Sequence, residues 1–178
     1  MKKEVTLARL VVITAVGRDH PGIVAALTGA IYSCGGNLDD ATMTRLHGVF
    51  ATMLAVQLPG DIEVLDRALQ PLRASQGLTI TIDEASTLAG DETPPDHIIS
   101  VYGADKPGIV HSVASALARA NINITDMDSR MAGTVDQPIY IVVFEVSGGS
   151  SDLSHITTAL RQELNLDITV RPIDEEAL

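Results

Sequence analysis

Gly17-Arg18-Asp19-His20-Pro21-Gly22-Ile23-Val24 returns as Gly103-Ala104-Asp105-Lys106-Pro107-Gly108-Ile109-Val110, an offset of 86 residues. Carried on without a gap, the offset aligns Asn37 with Asn123 and Asp40 with Asp126. Nine of the 24 positions from 17 to 40 are then identical. The 178 residues therefore read as two copies of one small unit. Polar residues repeated at the same joints point to a paired module rather than to a single active site.

Outward from the motif, each copy gives the same order of elements. Leu10–Val16 is short and rich in β-branched residues, which predicts a buried strand. Gly17–Gly22 is a turn, and Ile23, Val24, Leu27 and Ile31 follow at helical spacing until Cys34-Gly35-Gly36. Strands are expected at Asn37–Leu46 and from Phe50 to Leu58, joined at His47-Gly48. A helix with Ile62, Leu65, Leu69 and Leu72 on one face ends at Gly77, and Leu78, Ile80 and Ile82 alternate in a last strand. The second copy predicts strand 98–103, helix 107–120 with Ile109, Val110, Val113 and Leu117 inward, and strands 123–131 and 139–146. Helix 152–164 follows, with Leu153, Ile156, Leu160 and Leu164 on one face, and strand 166–171 closes the copy. The fold class is α+β: two tandem ferredoxin-like βαββαβ domains, each an antiparallel sheet with its helices on one face. The expected boundaries are 8–84 and 96–173. The linker, 85–95, holds Gly90, Pro94 and Pro95. The central strands are apolar on both faces, so the second face of each sheet is expected to be covered, within the chain or by another copy.

Composition narrows the function. Aromatic residues make up 3% of the chain, tryptophan is absent, and net charge is −11. Residues 1–84 carry 7 basic and 9 acidic side chains, and residues 97–178 carry 5 and 11. No stretch is basic enough to track a phosphate backbone or aromatic enough to stack bases, so direct nucleic-acid binding is not expected. The single Cys34 aligns with Ala120 and suits a reducing cytoplasm. The apolar run from Leu10 is too short for a membrane span.

At the strand-to-helix joint, Pro21 and Pro107 are expected near the first helical position, with Asp19 and Asp105 favourably placed for the helix dipole. A helix start also offers free amides to a carboxylate. Gly22 and Gly108 would let a ligand approach the backbone, while Asp19 and Asp105 would accept an ammonium. Opposite charges at that separation suit a zwitterion. Asn37 and Asn123 are expected to return towards the same sheet edge and complete the site with an amide. Asp39, Asp40, Asp126 and Asp128 lie on an expected edge strand, where charge discourages aggregation. The five histidines form no nucleophile–base arrangement, and no phosphate-binding loop or metal-ligand spacing is present.

The repeated Asp-x-Pro-Gly-Ile-Val, with Asn-Leu-Asp-Asp and Asn-Ile-Asn-Ile-Thr-Asp at the return strands, resembles the ACT domain family over nearly the whole chain. Within it, the tandem pair is most similar to the glycine cleavage system transcriptional repressor group. The resemblance implies sensing of a small amino acid between paired domains, without catalysis and without a cofactor. It implies ligand contacts at Asp19, His20, Gly22, Ile23 and Asn37, and at Asp105, Lys106, Gly108, Ile109 and Asn123. It also implies a protein partner, either a transcription regulator or a metabolic enzyme, and a homo-oligomer. A ligand-free adaptor and the regulatory part of a metabolic enzyme are the competing expectations.

Overall fold

The β-branched run at the start and its repeat become the central strands of two separate sheets. The computed structural model describes residues 8–85, 93–148 and 153–173. Two compact units emerge, Met1–Gly90 and Asp91–Leu178. The first runs β1 (Arg9–Arg18), α1 (Ile23–Ser33), β2 (Asn37–Leu46), β3 (Val49–Leu58), α2 (Ile62–Gln76) and β4 (Thr79–Glu84). The second runs β5 (His97–Gly103), α3 (Ile109–Arg119), β6 (Asn123–Gly133), β7 (Pro138–Ser147), α4 (Leu153–Leu164) and β8 (Asp167–Pro172). The sheets have the orders β2-β3-β1-β4 and β6-β7-β5-β8, with antiparallel pairing throughout. These are the two βαββαβ units expected.

Each core lies on the helix-bearing face. In the first unit Val11, Ile13 and Ala15 of β1 and Phe50, Leu54 and Val56 of β3 meet Ile23, Leu27 and Ile31 of α1 and Leu65 and Leu69 of α2. The second unit repeats this with Ile99, Val101, Val142, Phe144, Ile109, Val113, Leu117, Leu153 and Leu160. Five helical positions depart from the expected faces. Val24 points outward and is 49% exposed. Ile62 in the first unit and Val110, Ile156 and Leu164 in the second only border the core. Thr157 takes the buried place beside Leu160, its hydroxyl satisfied by the Leu153 carbonyl at 2.8 Å. A hydroxyl that bonds its own helix backbone is cheap to bury.

The opposite faces differ from a continuous apolar surface. By register, the first sheet sets Val12, Thr14 and Val16 beside Ala55, Met53 and Ala51, flanked by Thr79 and Thr81. The second pairs Ile98 with Glu145 and Arg171, and Val143 with Asp128.

An arginine clamp recurs in both units. Arg73 of α2 donates from Nε and Nη2 to the Ile80 carbonyl at 3.3 and 3.1 Å. Arg161 of α4 does the same to Ile168, with Nε at 2.7 Å. Each ties the second helix to the last strand. Of the linker, residues 86–92 lie outside the described residues. Asp96 belongs to the second sheet: its backbone bonds Val146 and Ile173, and its carboxylate accepts the Gly148 N–H at 3.0 Å.

Candidate functional site

β1 ends at Arg18, and the next backbone N–H, of Asp19, donates to Gly48 O at 2.9 Å. That bond docks the loop on the tight β2–β3 turn, where His47 and Gly48 both have positive φ, 49° and 82°. The loop then swings into α1 through Gly22 at φ 97°, and into α3 through Gly108 at φ 95°. These left-handed values favour glycine over any residue with a Cβ. Gly22 and Gly108 are the N-caps, so Pro21 and Pro107 stand one residue outside the helix rather than at its first position. A proline there cannot continue a helix backwards and fixes the approach of the chain instead. The cap carbonyls accept from Ala26 and Ser112, each at 2.9 Å. No side chain caps either helix, and neither has an acid in its first turn. The first-turn amides of both helices thus have no side-chain cap and are open to solvent or to an anion.

The loop residues of one unit come together, but the asparagines do not join them. Asn37 lies opposite Gln57, itself opposite Leu10, whereas the loop leaves beyond Arg18, opposite Val49. Eight strand residues separate the two ends, about 26 Å at the usual rise. Asn123 likewise pairs with Ser147, far from Gly103 and Tyr140. The cause is simple: α1 and α3 carry the chain back along the whole sheet before β2 and β6 begin. Within a unit, then, Asn37 and Asn123 do not return to the loop.

The two loops differ in how their polar groups are used. Asp19 is partly buried and pairs with Arg45 of β2 at 3.3 Å. His20 Nδ1 lies 3.1 Å from Pro21 O. In the second unit Asp105 and Lys106 are exposed. With Gly108, Ile109, His111 and Tyr140 they border an open hollow of about 500 Å³. Four of the residues expected at the site thus line one concavity. Arg45 and Tyr140 were not foreseen, although the repeat offset already sets Arg45 against Met131. Another hollow, about 430 Å³ between α3 and α4, has walls of Ala116, Ala120, Ala159 and Leu160 and shares nothing with the repeated motif.

The acids of β2 and β6 lie on edge strands, as expected. Both strands carry an irregularity at the same place, between Leu38 and Asp40 and between Ile124 and Asp126. Bulges and charge together blunt an open edge. Among the described residues no three His, Cys, Asp or Glu gather as a metal site. No helix there is long and apolar enough to cross a membrane.

Comparison with known proteins matches ACT domain models to residues 9–83 and 97–165. The glycine cleavage system transcriptional repressor of Escherichia coli is 24% identical over 170 residues, covering 92% of this chain and 90% of that protein. A UPF0237 protein of Pyrobaculum aerophilum is 34% identical over 82 residues, 43% of this chain and 87% of its own length. The crystal structure of a protein from Galdieria sulphuraria superposes with a TM-score of 0.80 at 23% identity, covering 94% of this chain and 99% of that one. That likeness is one of fold.

Proposed function

Because the chain belongs to the ACT domain family through both of its units, we propose that it is an amino-acid-responsive regulatory protein acting by contact with another protein. The observation that carries this reading is the repeated loop: an uncapped helix start beside an acid, with the second copy opening on a hollow of about 500 Å³. Amides at the helix start receive the carboxylate, and Asp19 or Asp105 receives the ammonium. Catalysis has no part in it. The groups at the loop bind and orient charge, and none stands as a nucleophile with its base.

Asn37 and Asn123 enter this reading through a neighbour. β2 runs from its asparagine towards the loop end of the sheet. An antiparallel strand laid along that open edge begins at the loop end, so its first residue, the equivalent asparagine of a second copy of the chain, stands near the loop. The proposed site is therefore complete only in a paired assembly, and ligand and assembly are coupled. Such coupling gives the bound amino acid a means of changing which surface a partner meets.

The likeness to a transcriptional repressor supports a transcription regulator as that partner, with a metabolic enzyme as the other candidate. At net charge −11 the chain repels duplex DNA, so control of transcription runs through the partner. The single cysteine, Cys34, is free, which fits a cytoplasmic place of action.

The test is a thermal-shift screen of the full chain against each standard amino acid, with light scattering in parallel. A ligand at a hundredfold excess over its Kd stabilises by about 2.7 kcal/mol, an easily read shift. A flat response to every amino acid overturns the sensing role. A sequence-specific gel shift by the protein alone at low salt overturns action through a partner.

A further inference from the structure

The repeats spend their polar groups differently. In the first unit the Asp19 carboxylate holds Arg45 and the His20 ring bonds its own loop carbonyl. Phe50, opposite Gly17, is 2% exposed and belongs to the core. In the second unit Tyr140 stands at the same register, opposite Gly103, and remains partly exposed at the rim of the hollow. The residue 86 positions after Arg45 is Met131, facing Tyr140 as Arg45 faces Phe50. Among the described residues Asp105 and Lys106 have no hydrogen bond or ion pair through their side chains.

We propose that the repeats have divided the work, with the second unit as the higher-affinity effector site and Arg45 as a built-in cation on the equivalent seat of the first. This rests on the amino-acid-sensing reading above. At the second loop the ligand's ammonium meets Asp105 and its carboxylate meets the start of α3 beside Lys106. Ile109 and Tyr140 bound the space for its side chain. Lys106 at the rim opposes a second positive charge, so neutral and acidic amino acids are favoured over cationic ones.

The size of the difference follows from exposure. The Arg45 side chain is 69% exposed, and a surface pair of that kind weakens a competing cation by no more than about fivefold. Arg45 therefore biases the first loop against ligand without sealing it.

Because each loop has its own glycine cap, the sites are read separately in one sample. The backbone amides of Gly22 and Gly108 in the isotopically labelled full chain are followed by NMR. Glycine, L-alanine, L-serine, L-valine and L-leucine are titrated in turn, with L-lysine as the cationic contrast. Gly108 is expected to saturate at several-fold lower concentration than Gly22, and L-lysine to bind it less well than L-leucine. Met131→Arg should weaken the Gly108 response by up to about fivefold, and Arg45→Met should tighten the Gly22 response by up to the same factor. Both substitutions are on exposed positions, and unchanged spectra elsewhere verify the fold. If the loops saturate together, if Gly22 leads, or if Met131→Arg leaves Gly108 unchanged, the division of work is wrong while sensing stands. If a neutral amino acid raises the melting temperature and moves neither glycine, the proposed site falls but sensing survives. If none moves either glycine or the melting temperature, both fall.

Discussion

Gly22→Ala and Gly29→Ala are the same chemical change seven residues apart in one helix region, and the backbone decides that their effects have opposite sign. A Cβ built at either position meets nothing within 4 Å, so sterics are equal. Gly22 has φ 97°, and a side chain there costs about 1–2 kcal/mol. The less flexible unfolded chain returns about 0.4–1 kcal/mol. The net is a loss near 1 kcal/mol, about 4–8 °C for a unit of this size. Gly29 lies within α1 and is exposed, so alanine gains about 0.5–1 kcal/mol through helix propensity. Urea unfolding followed by circular dichroism measures both against the same transition, because both residues belong to the first unit. The double variant should lie within about 0.5 kcal/mol of the parent. A neutral or stabilising Gly22→Ala refutes the left-handed turn. A loss far above 2 kcal/mol means that something other than strain opposes the side chain.

The arginine clamps should matter more than their surface position implies. Arg73→Met and Arg161→Met each remove charge-assisted bonds to a strand carbonyl, and urea midpoints should report losses of about 1–2 kcal/mol in their own units. Asp66 gives a pH signature confined to the first unit, since the clamp-aligned position in the second is Ser154. Its hydrogen bonds to Arg73 and then Gln70 hold the carboxyl below its usual value. A depressed folded pKa means stability present above about pH 4 and lost as pH falls through the folded value. With its side chain 41% exposed, the contribution is at most about 1 kcal/mol. The stability gap between the parent and Asp66→Asn should close on acidification over that window, and a gap that widens would contradict the pairing.

The repeat made the fold legible. Two copies of one pattern of β-branched runs and helical spacing left little freedom in topology, and the strand expected between the first helix and the His47-Gly48 turn spans Asn37–Leu46. The loop was legible too, because Gly and Pro carry their backbone meaning in their identity. What escaped was long-range geometry. Arg45 reads as one more edge-strand charge until the register sets it beside Asp19, 26 positions away. Asn37 misled because sequence shows that a chain returns to a sheet but not to which end. Thr157 escaped because its burial depends on a bond to its own helix.

The account stands most directly on calorimetric titration of the full chain with the amino acid that shifts its melting most. It predicts saturable binding that Asp105→Asn weakens by about ten- to a hundredfold, the loss expected for one charge-assisted contact. Asp19→Asn should have a smaller effect. Affinity untouched by both substitutions would contradict the claim that the Asp-x-Pro-Gly loops hold the ligand.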